Sequence, residues 1–217
     1  MFPVTQVGSW PRSQSLLSAL SDYQKGHMPR AEFDRVADGE TRRAVELQVD
    51  AGVDIIVDGE QRRDNFVSFV TEKLDGTRLM SLTESADNDE GFNEGLAAAD
   101  VTPDSIMNAV CVGKLERREP LAVEDYKFVR ELTDRPIKVP LPGPYILIRS
   151  MWSPKFSRGA YAEPTDMADD IVSILRDELI ELRDAGCEFV QFDEPVFTEV
   201  VLSEAASESE SFSRTFM

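Results

Sequence analysis

Three polar side chains that could hold a charged small molecule each follow a short apolar run of the sequence. They are Ser9, Glu60 and Asp193. A carboxylate can accept hydrogen bonds from an ammonium group, and a serine hydroxyl beside a glycine amide can donate to a carboxylate. Together these groups suit a zwitterion such as an amino acid, because each charged end finds an opposite partner. They do not by themselves define a reaction.

Each of these positions also has a purely structural interpretation. Gly8-Ser9 could be an ordinary turn at the end of a strand, and Asp58-Gly59-Glu60 could be a solvated turn whose acids pair with Arg62 or Arg63. Asp193-Glu194 indicates function more strongly, because two consecutive carboxylates at the end of a buried strand are costly unless they are paired.

The elements that must position these side chains follow an alternating pattern. Short apolar runs alternate with helical periodicity, which is typical of parallel strands joined by crossover helices. Five strands are predicted, each ending at a glycine, proline or polar turn: residues 4–7, 54–58, 107–112, 137–141 and 189–192. The carboxyl ends of parallel strands share one edge, so we expect Ser9, Glu60 and Asp193 to meet at a common rim.

Two of the connecting segments predict long helices. Residues 31–50 and 166–185 carry apolar side chains at helical spacing. Each segment is followed directly by a strand, and Gly52 and Gly186 stand where a left-handed residue would end the helix.

The predicted fold class is α/β, of the (β/α)8 TIM-barrel type, and incomplete. Five strands cannot close a barrel of eight, and a complete unit usually needs about 250 residues where this chain has 217. We therefore predict about five of the eight βα units. An open, doubly wound sheet of five strands would be self-sufficient at this length, and periodicity does not separate the two architectures.

The whole chain, residues 1–217, is predicted to form one partial barrel domain. An acidic insertion is predicted at about 83–104 and a polar, Ser/Glu-rich tail at about 203–217. The insertion is either a lid over the strand ends or a solvated loop. A partial barrel exposes apolar strand edges and helix faces, so we expect poor solubility or self-association.

The charge of the chain excludes several classes of partner. Acidic residues number 41 against 23 basic ones, for a net charge of -18. A nucleic-acid backbone or an anionic membrane surface would be repelled by this surplus. No apolar run approaches the roughly 20 residues of a membrane span, and the first residues lack the pattern of a signal peptide. A cytoplasmic location is expected by default.

The cysteines and the single histidine are interpreted as structural. Cys111 and Cys187 lie in apolar stretches, which is typical of buried, reduced thiols in a cytosolic protein, although a disulfide is a second option. His27 lies in a polar stretch that predicts a loop, so an exposed loop histidine is favoured over a catalytic one.

The strand-end motifs, read in order, resemble those of the cobalamin-independent methionine synthase family. The resemblance covers nearly the whole chain and corresponds to the amino-terminal portion of the family's C-terminal catalytic barrel. Four motifs carry it: Val7-Gly8-Ser9-Trp10-Pro11-Arg12, Val57-Asp58-Gly59-Glu60 with Arg63-Asp64, Leu141-Pro142-Gly143-Pro144, and Gln191-Phe192-Asp193-Glu194-Pro195.

This resemblance implies an S-methyltransferase and a set of substrate-binding residues. It implies methyl transfer from a methyl-folate to the sulfur of homocysteine, giving methionine, with a zinc ion that binds the thiolate. The implied substrate-binding residues are, in chain order, Val7, Gly8, Ser9, Glu60, Asp193 and Glu199. The first three would hold the amino acid's carboxylate, the next two its ammonium group, and the last the folate.

The sequence also departs from the family's pattern. The family's zinc ligands, a His-x-Cys pair, a glutamate and a further cysteine, all follow its Asp-Glu-Pro strand, whereas no His or Cys follows Pro195 here. Zinc catalysis ordinarily needs three protein ligands, so this chain is expected to be inactive alone, with zinc a cofactor of the full-length family member. Ser150 takes the position of the family's folate-stacking tryptophan, with Trp152 two residues on, so the methyl donor stays open.

Two other functions stay open on the sequence. The first is a non-catalytic α/β domain that binds an amino acid. The second is a barrel decarboxylase related by fold only, which would need a porphyrin-sized cavity and basic residues that the acidic strand ends do not supply.

Overall fold

A computed structural model of the chain describes residues 2–81, 84 and 107–197. All but one residue of the predicted insertion at 83–104, and the whole predicted tail at 203–217, lie outside the described residues. The chain splits into two compact units. The first comprises Met1–Phe69, Glu119–Leu141 and Ile174–Phe192, and the second comprises Val70–Arg118, Pro142–Ser173 and Asp193–Met217. The single domain over residues 1–217 stays a prediction.

Along the described residues, two helices are followed by two strands, and then by a helix, a strand, two helices and a strand. The helices are α1 (Gln14–Gln24), α2 (Arg30–Asp50), α3 (Val123–Arg130), α4 (Pro144–Met151) and α5 (Ala168–Asp184). The strands are β1 (Leu74–Ser81), β2 (Met107–Arg117), β3 (Lys138–Pro142) and β4 (Phe189–Asp193). Short 3-10 turns span Ser68–Glu72 and Pro164–Met167.

The two predicted long helices are confirmed with ends that differ by at most two residues. They correspond to α2 and α5. Gly52 and Gly186 follow them with φ values of 78° and 95°, the left-handed conformation that lets the chain leave a helix and turn into the next strand.

Four predicted strand segments lie side by side in chain order. Thr5 forms a parallel bridge with Ile55, and Ile56 forms a parallel bridge with Ile137, next to β3. Strands β3 and β4 are hydrogen-bonded neighbours. The predictions for 137–141 and 189–192 are confirmed within one residue, whereas the first two segments contribute isolated bridges rather than full strands.

The prediction of a third parallel strand at 107–112 is wrong in its pairing and its end. The observed β2 continues past Gly113 to Arg117 and pairs antiparallel with β1, a strand that the sequence analysis did not predict. An apolar run of this kind has the same pattern in a parallel strand and in a hairpin, so the sequence alone does not separate them.

Helices α1 and α2 pack against each other through small and aromatic side chains. Leu16 and Ala19 on α1 meet Phe33 and Ala37 on α2, and all four are at least 96% buried. The ring of Tyr23 stacks on Phe33 with 5.2 Å between the ring centroids. Burying a side chain as large as Leu or Phe contributes about 1.5–3 kcal/mol, so this contact fixes α2 and the strand segment that follows it.

Three further features bear on the sequence predictions. Cys111 and Cys187 are free and buried, and His27 is exposed in the turn between α1 and α2, as predicted. None of the helices within the described ranges is long and apolar enough to cross a membrane. Phe189 and Phe192 on β4 are 40% and 41% exposed. The expected self-association stays a prediction.

Candidate functional site

The turn after the second strand segment has a strained backbone. Gly59 and Glu60 both have positive φ, 71° and 56°. Glycine adopts this conformation freely, but for another residue it costs about 1–2 kcal/mol. The Glu60 amide donates to Asp58 Oδ1 at 3.0 Å, which stabilises the turn. Non-glycine residues with a strained backbone occur mostly at functional sites.

The first strand end is hydrogen-bonded to this turn. The amide of Trp10 donates to the carbonyl oxygen of Gly59 at 3.0 Å. The side-chain amide of Gln61 donates to the same oxygen at 2.8 Å and to the Trp10 carbonyl at 3.2 Å. Arg12 Nη2 donates to the Glu60 carbonyl at 3.3 Å. Two motifs that are about 50 residues apart in the sequence are therefore held together by one backbone hydrogen bond and by side-chain hydrogen bonds to backbone carbonyls.

Gly8 lies directly against the Glu60 carboxylate. A Cβ atom built on Gly8 would lie 2.7 Å from Glu60 Oε1, closer than real Cβ contacts allow, and 3.2 Å from Pro140 Cγ, a tight contact. Gly8 is buried, while the neighbouring Val7 and Ser9 are exposed. The structure thus brings Gly8, at the centre of the predicted Val7-Gly8-Ser9 segment, against Glu60, and Ser9 next to it in the sequence is exposed.

The acids of this turn are buried rather than solvated. Asp58, Glu60 and Arg63 are 7%, 3% and 3% exposed, so the solvated-turn interpretation is wrong. Arg63 Nη1 lies 3.9 Å from Glu60 Oε1, a long ion pair, and donates to the Pro140 carbonyl at 2.9 Å. Within the described residues, Arg63 Nε and Nη2 and Asp58 Oδ2 have no hydrogen-bond partner.

A second group of charges lies in the same unit. Arg62 pairs with Asp38 at 2.6 Å and with Asp125 at 3.2 Å, and its guanidinium lies 4.0 Å from the ring centroid of Phe128. Burial raises the pKa of Asp125 above its ordinary value, and the nearby Asp58 carboxylate raises it further. A small cavity lies among these groups, lined by Asp58, Arg63, Asp125 and Lys138 together with apolar side chains.

Lys138 is a residue of this region that the sequence analysis missed. It is 1% exposed, and its ammonium donates to the carbonyls of Gln6 and Val7, the latter at 3.1 Å, and to Gln191 Oε1 at 2.6 Å. Gln191 Nε2 in turn donates to the Val7 carbonyl at 3.0 Å. The available signal was a lysine inside the apolar strand run at 137–141, where a charge is rare unless it is paired.

In the second unit, the Asp-Glu-Pro motif has one structural carboxylate. Glu194 accepts from the amides of Tyr145 at 2.7 Å and Ile146 at 2.9 Å, in the first turn of α4. A Cβ on Gly143 would overlap this carboxylate, which explains the glycine of the Pro-Gly-Pro motif. Glu194 therefore caps a helix, and the helix amides that could have bound a ligand anion are already occupied.

The two remaining predicted site residues are Asp193 and Glu199. Asp193 is the last residue of β4, half-buried, and its carbonyl accepts from the Gly143 amide at 2.9 Å. That its carboxylate joins Ser9 and Glu60 stays a prediction. Glu199 lies outside the described residues.

The described residues do not fit the implied zinc ion. Across residues 2–81, 84 and 107–197 there is no group of three or more His, Cys, Asp or Glu side chains that could hold a metal. Cys111 Sγ donates to the Gly113 carbonyl at 3.1 Å, and Cys187 Sγ donates to the Phe189 carbonyl at 3.4 Å. Burial raises the pKa of both thiols, which disfavours the thiolate that zinc needs.

Comparison with known proteins decides the family. The model of the cobalamin-independent synthase catalytic domain matches residues 2–216. The chain belongs to this family. The 5-methyltetrahydropteroyltriglutamate–homocysteine methyltransferase of Thermotoga maritima is 30% identical over 199 residues, which are 92% of this chain and 25% of that protein. The protein of the same name from a Chelativorans species is 31% identical over 198 residues, 91% of this chain and 23% of that protein. The chain spans about a quarter of the length of these relatives.

Solved structures of the cobalamin-independent synthase type share the fold. A B12-independent methionine synthase from a Shewanella species, in complex with selenomethionine, superposes with a TM-score of 0.60 at 27% identity, over 87% of this chain and 50% of that chain. A putative vitamin-B12 independent methionine synthase from Listeria monocytogenes gives 0.62 at 20% identity, over 97% and 62%. The predicted fold class, α/β of the TIM-barrel type with part of its βα units, is confirmed.

Proposed function

We propose that this chain carries the amino-acid-binding part of an S-methyltransferase that methylates homocysteine to methionine. The observation that carries the proposal is the close approach of the Gly8 backbone to the buried Glu60 carboxylate, with the exposed Ser9 following Gly8 in the sequence. This arrangement places backbone hydrogen-bond donors near a carboxylate acceptor in space, and the two ends of an amino acid require one group of each kind.

Each of these groups has a separate task in binding. Glu60 accepts hydrogen bonds from the ligand ammonium, and its burial strengthens that attraction because little water screens it. The Ser9 hydroxyl and the amides of Val7 and Gly8 donate to the ligand carboxylate. Arg63 Nη1 lies 3.9 Å from the Glu60 carboxylate, a long ion pair.

The remaining parts of the activity rest on the family resemblance. Asp193 is proposed as a second partner of the ammonium group and Glu199 as a contact to a methyl-folate. Zinc would hold the homocysteine thiolate in the full-length enzyme, and we expect this chain alone to bind the amino acid without transferring a methyl group. A cytoplasmic location, expected by default, and the absence of nucleic-acid and membrane partners, expected from the charge, complete the proposal.

Calorimetric titration with L-methionine tests the proposal. Replacing Glu60 by Gln removes the charge that faces the ammonium, and we expect methionine affinity to fall about 10- to 100-fold, the range of a lost charge-assisted hydrogen bond. The matched control is Glu124→Gln, which alters a glutamate that is 67% exposed on α3 and should leave affinity unchanged. Equal binding by the wild-type chain and the Glu60 variant would contradict the proposal.

A second titration separates the enzyme part from a domain that only binds an amino acid. A reduced methyl-folate is titrated into the chain already saturated with methionine. The enzyme part should bind both ligands at once, whereas a pure amino-acid binder should show no heat from the folate. In the latter case the proposed contact to a methyl-folate fails and amino-acid binding stands.

A further inference from the structure

The buried ammonium of Lys138 donates to two backbone carbonyls of the first strand end and to a side chain of β4. A lysine ammonium has three donors, and Lys138 uses them on the Gln6 carbonyl, the Val7 carbonyl and Gln191 Oε1. The side chain is only 1% exposed, so its charge lies in the protein interior. Electrostatic interactions there are several times stronger than at the surface. Such a charge is retained only where it is well partnered.

The Val7 carbonyl receives two donors from different strands. Lys138 Nζ on β3 lies 3.1 Å away and Gln191 Nε2 on β4 lies 3.0 Å away. The oxygen of Val7 and the N–H of Gly8 belong to one planar peptide group, and in a trans peptide they point in opposite directions. Fixing the oxygen therefore also fixes the direction of the Gly8 N–H, which points away from Lys138.

The same contact makes the Gly8 amide a stronger donor. Hydrogen bonds that share a peptide group polarise one another, and each bond in such a chain strengthens the next by roughly 10–30%. A cation on the carbonyl side has the strongest effect, because it draws electron density from the nitrogen. The Gln6 carbonyl, also bound by Lys138, acts in the same way on the Val7 N–H.

We propose that Lys138 is a positioning residue that gives the pocket its preference for ligands with a carboxylate. It acts through the Val7–Gly8 peptide group, whose N–H it orients and polarises toward the ligand anion. This inference rests on the proposed function, because it takes Gly8 as part of the carboxylate-binding segment. Lys138 itself does not touch the ligand.

The test compares two ligands that differ only in the carboxylate. L-Methionine and 3-(methylthio)propylamine, which lacks the carboxylate, are titrated into the wild-type chain and into Lys138→Met. We expect methionine affinity to fall about tenfold in the variant. The affinity for the amine should change by less than about twofold. The matched control is Lys127→Met, which removes a lysine that is 55% exposed on α3 and should change neither affinity.

Two outcomes overturn the inference while leaving the proposed function in place. Equal losses for both ligands would mean that Lys138 only supports the fold, and unchanged methionine affinity would mean that it has no role in binding. If the wild-type chain binds neither ligand, the failure lies in the proposed function, and the carboxylate preference assigned to Lys138 fails with it.

Removing a buried cation can also prevent folding, so a milder variant keeps the inference testable. Gln191→Leu takes one donor from the Val7 carbonyl and one acceptor from Lys138 without removing the charge. It should show the same selective loss for methionine at a smaller size. The amide proton of Gly8, followed by NMR without ligand, should also move upfield in either variant as its donor strength falls, and an unmoved resonance would contradict the polarisation step.

Discussion

In each of the two compact units, a glutamate side chain accepts hydrogen bonds from two backbone amides at the start of a helix, and the two glutamates differ in burial. In the first unit, Glu178 on α5 accepts from the amides of Leu121 and Ala122, both at 2.7 Å, just before α3. In the second, Glu194 accepts from two amides in the first turn of α4. Glu178 is fully buried and Glu194 only half-buried.

The difference in burial between Glu178 and Glu194 should decide how much each contributes to stability. Both glutamates satisfy helix amides that have no partner within the helix, and both place a negative charge at the positive end of the helix dipole. Water can replace the bonds of Glu194 but cannot reach those of Glu178. The same pair of hydrogen bonds should therefore contribute more to stability in the first unit.

The largest expected effect is the loss of the buried cap. Glu178→Leu keeps much of the side-chain volume but leaves two buried amides unsatisfied, so we expect the free energy of unfolding in urea to fall by about 3 kcal/mol. The control is Asp177→Leu, which changes an exposed position on the same helix and should stay within about 0.5 kcal/mol of wild type.

The half-buried cap should contribute less. Glu194→Leu removes the same number of bonds where solvent can substitute, and a helix cap of this kind contributes about 0.5–2 kcal/mol. The measurement is the urea midpoint, with Glu188→Leu at an exposed position as control. A loss as large as that of Glu178→Leu would mean that burial is not what distinguishes the two units.

A methyl group at position 143 should reproduce much of that loss. In Gly143→Ala the new Cβ would occupy the space of the Glu194 carboxylate and push it off the α4 amides. We expect a destabilisation of about 1–2 kcal/mol, and a double variant with Glu194→Leu that is less destabilised than the sum of the two changes. Gly159→Ala is the control, because a Cβ there meets nothing within 4 Å. Strict additivity would contradict the contact.

The smallest predicted effect is a difference in pH dependence between one aspartate of each unit. Burial, aided by Asp58, raises the pKa of Asp125 above 3.8, so its contribution to stability is complete below 3.8 and is lost as the pH rises through the folded-state pKa. The hydrogen bond from Tyr161 lowers the pKa of Asp170, so its contribution is present above 3.8 and is lost as the pH falls through the folded-state pKa.

Urea unfolding between pH 3 and pH 7 checks both signs. The wild-type chain should lose stability through Asp125 as the pH rises, and the Asp125→Asn variant should not show this loss. The wild-type chain should lose stability through Asp170 as the pH falls, and the Asp170→Asn variant should not show that loss. The second effect should be the weaker, since the Asp170 side chain is 37% exposed and solvent screens its interactions. The same sign of change in both variants would show that the units do not differ in this way.

The sequence predicted best those elements whose pattern is long or that end at a recognisable turn motif. Helices α2 and α5 have many turns of apolar periodicity, and β3 and β4 end at Pro-Gly-Pro and Asp-Glu-Pro. The short helices α3 and α4 were missed because eight residues give barely two turns of pattern. Helix α1 was missed although Ser13 stands before it and its hydroxyl accepts from the Leu16 amide, a recognisable capping signal.

In the candidate site, residues that belong to a strand-end motif could be predicted from the sequence. Residues whose contacts are with partners far away along the chain could not. Gly8 and Glu60 stand in strand-end motifs, and the structure brings them together. Lys138 meets the Val7 carbonyl about 130 residues away in sequence, and Arg63 meets the Pro140 carbonyl about 80 away. Such partners are set by how strands lie beside one another, which local patterns do not encode.

The left-handed backbone of Glu60 has a consequence for how a ligand would be received. The unfavourable torsion is set once, when the chain folds, so the carboxylate is preorganised before any ligand arrives. Immobilising a flexible side chain on association costs about 0.5–1.5 kcal/mol, and a glutamate already held at 3% exposure avoids most of that cost. The free-energy cost of fixing this side chain is therefore part of folding and does not weaken the binding of a small molecule.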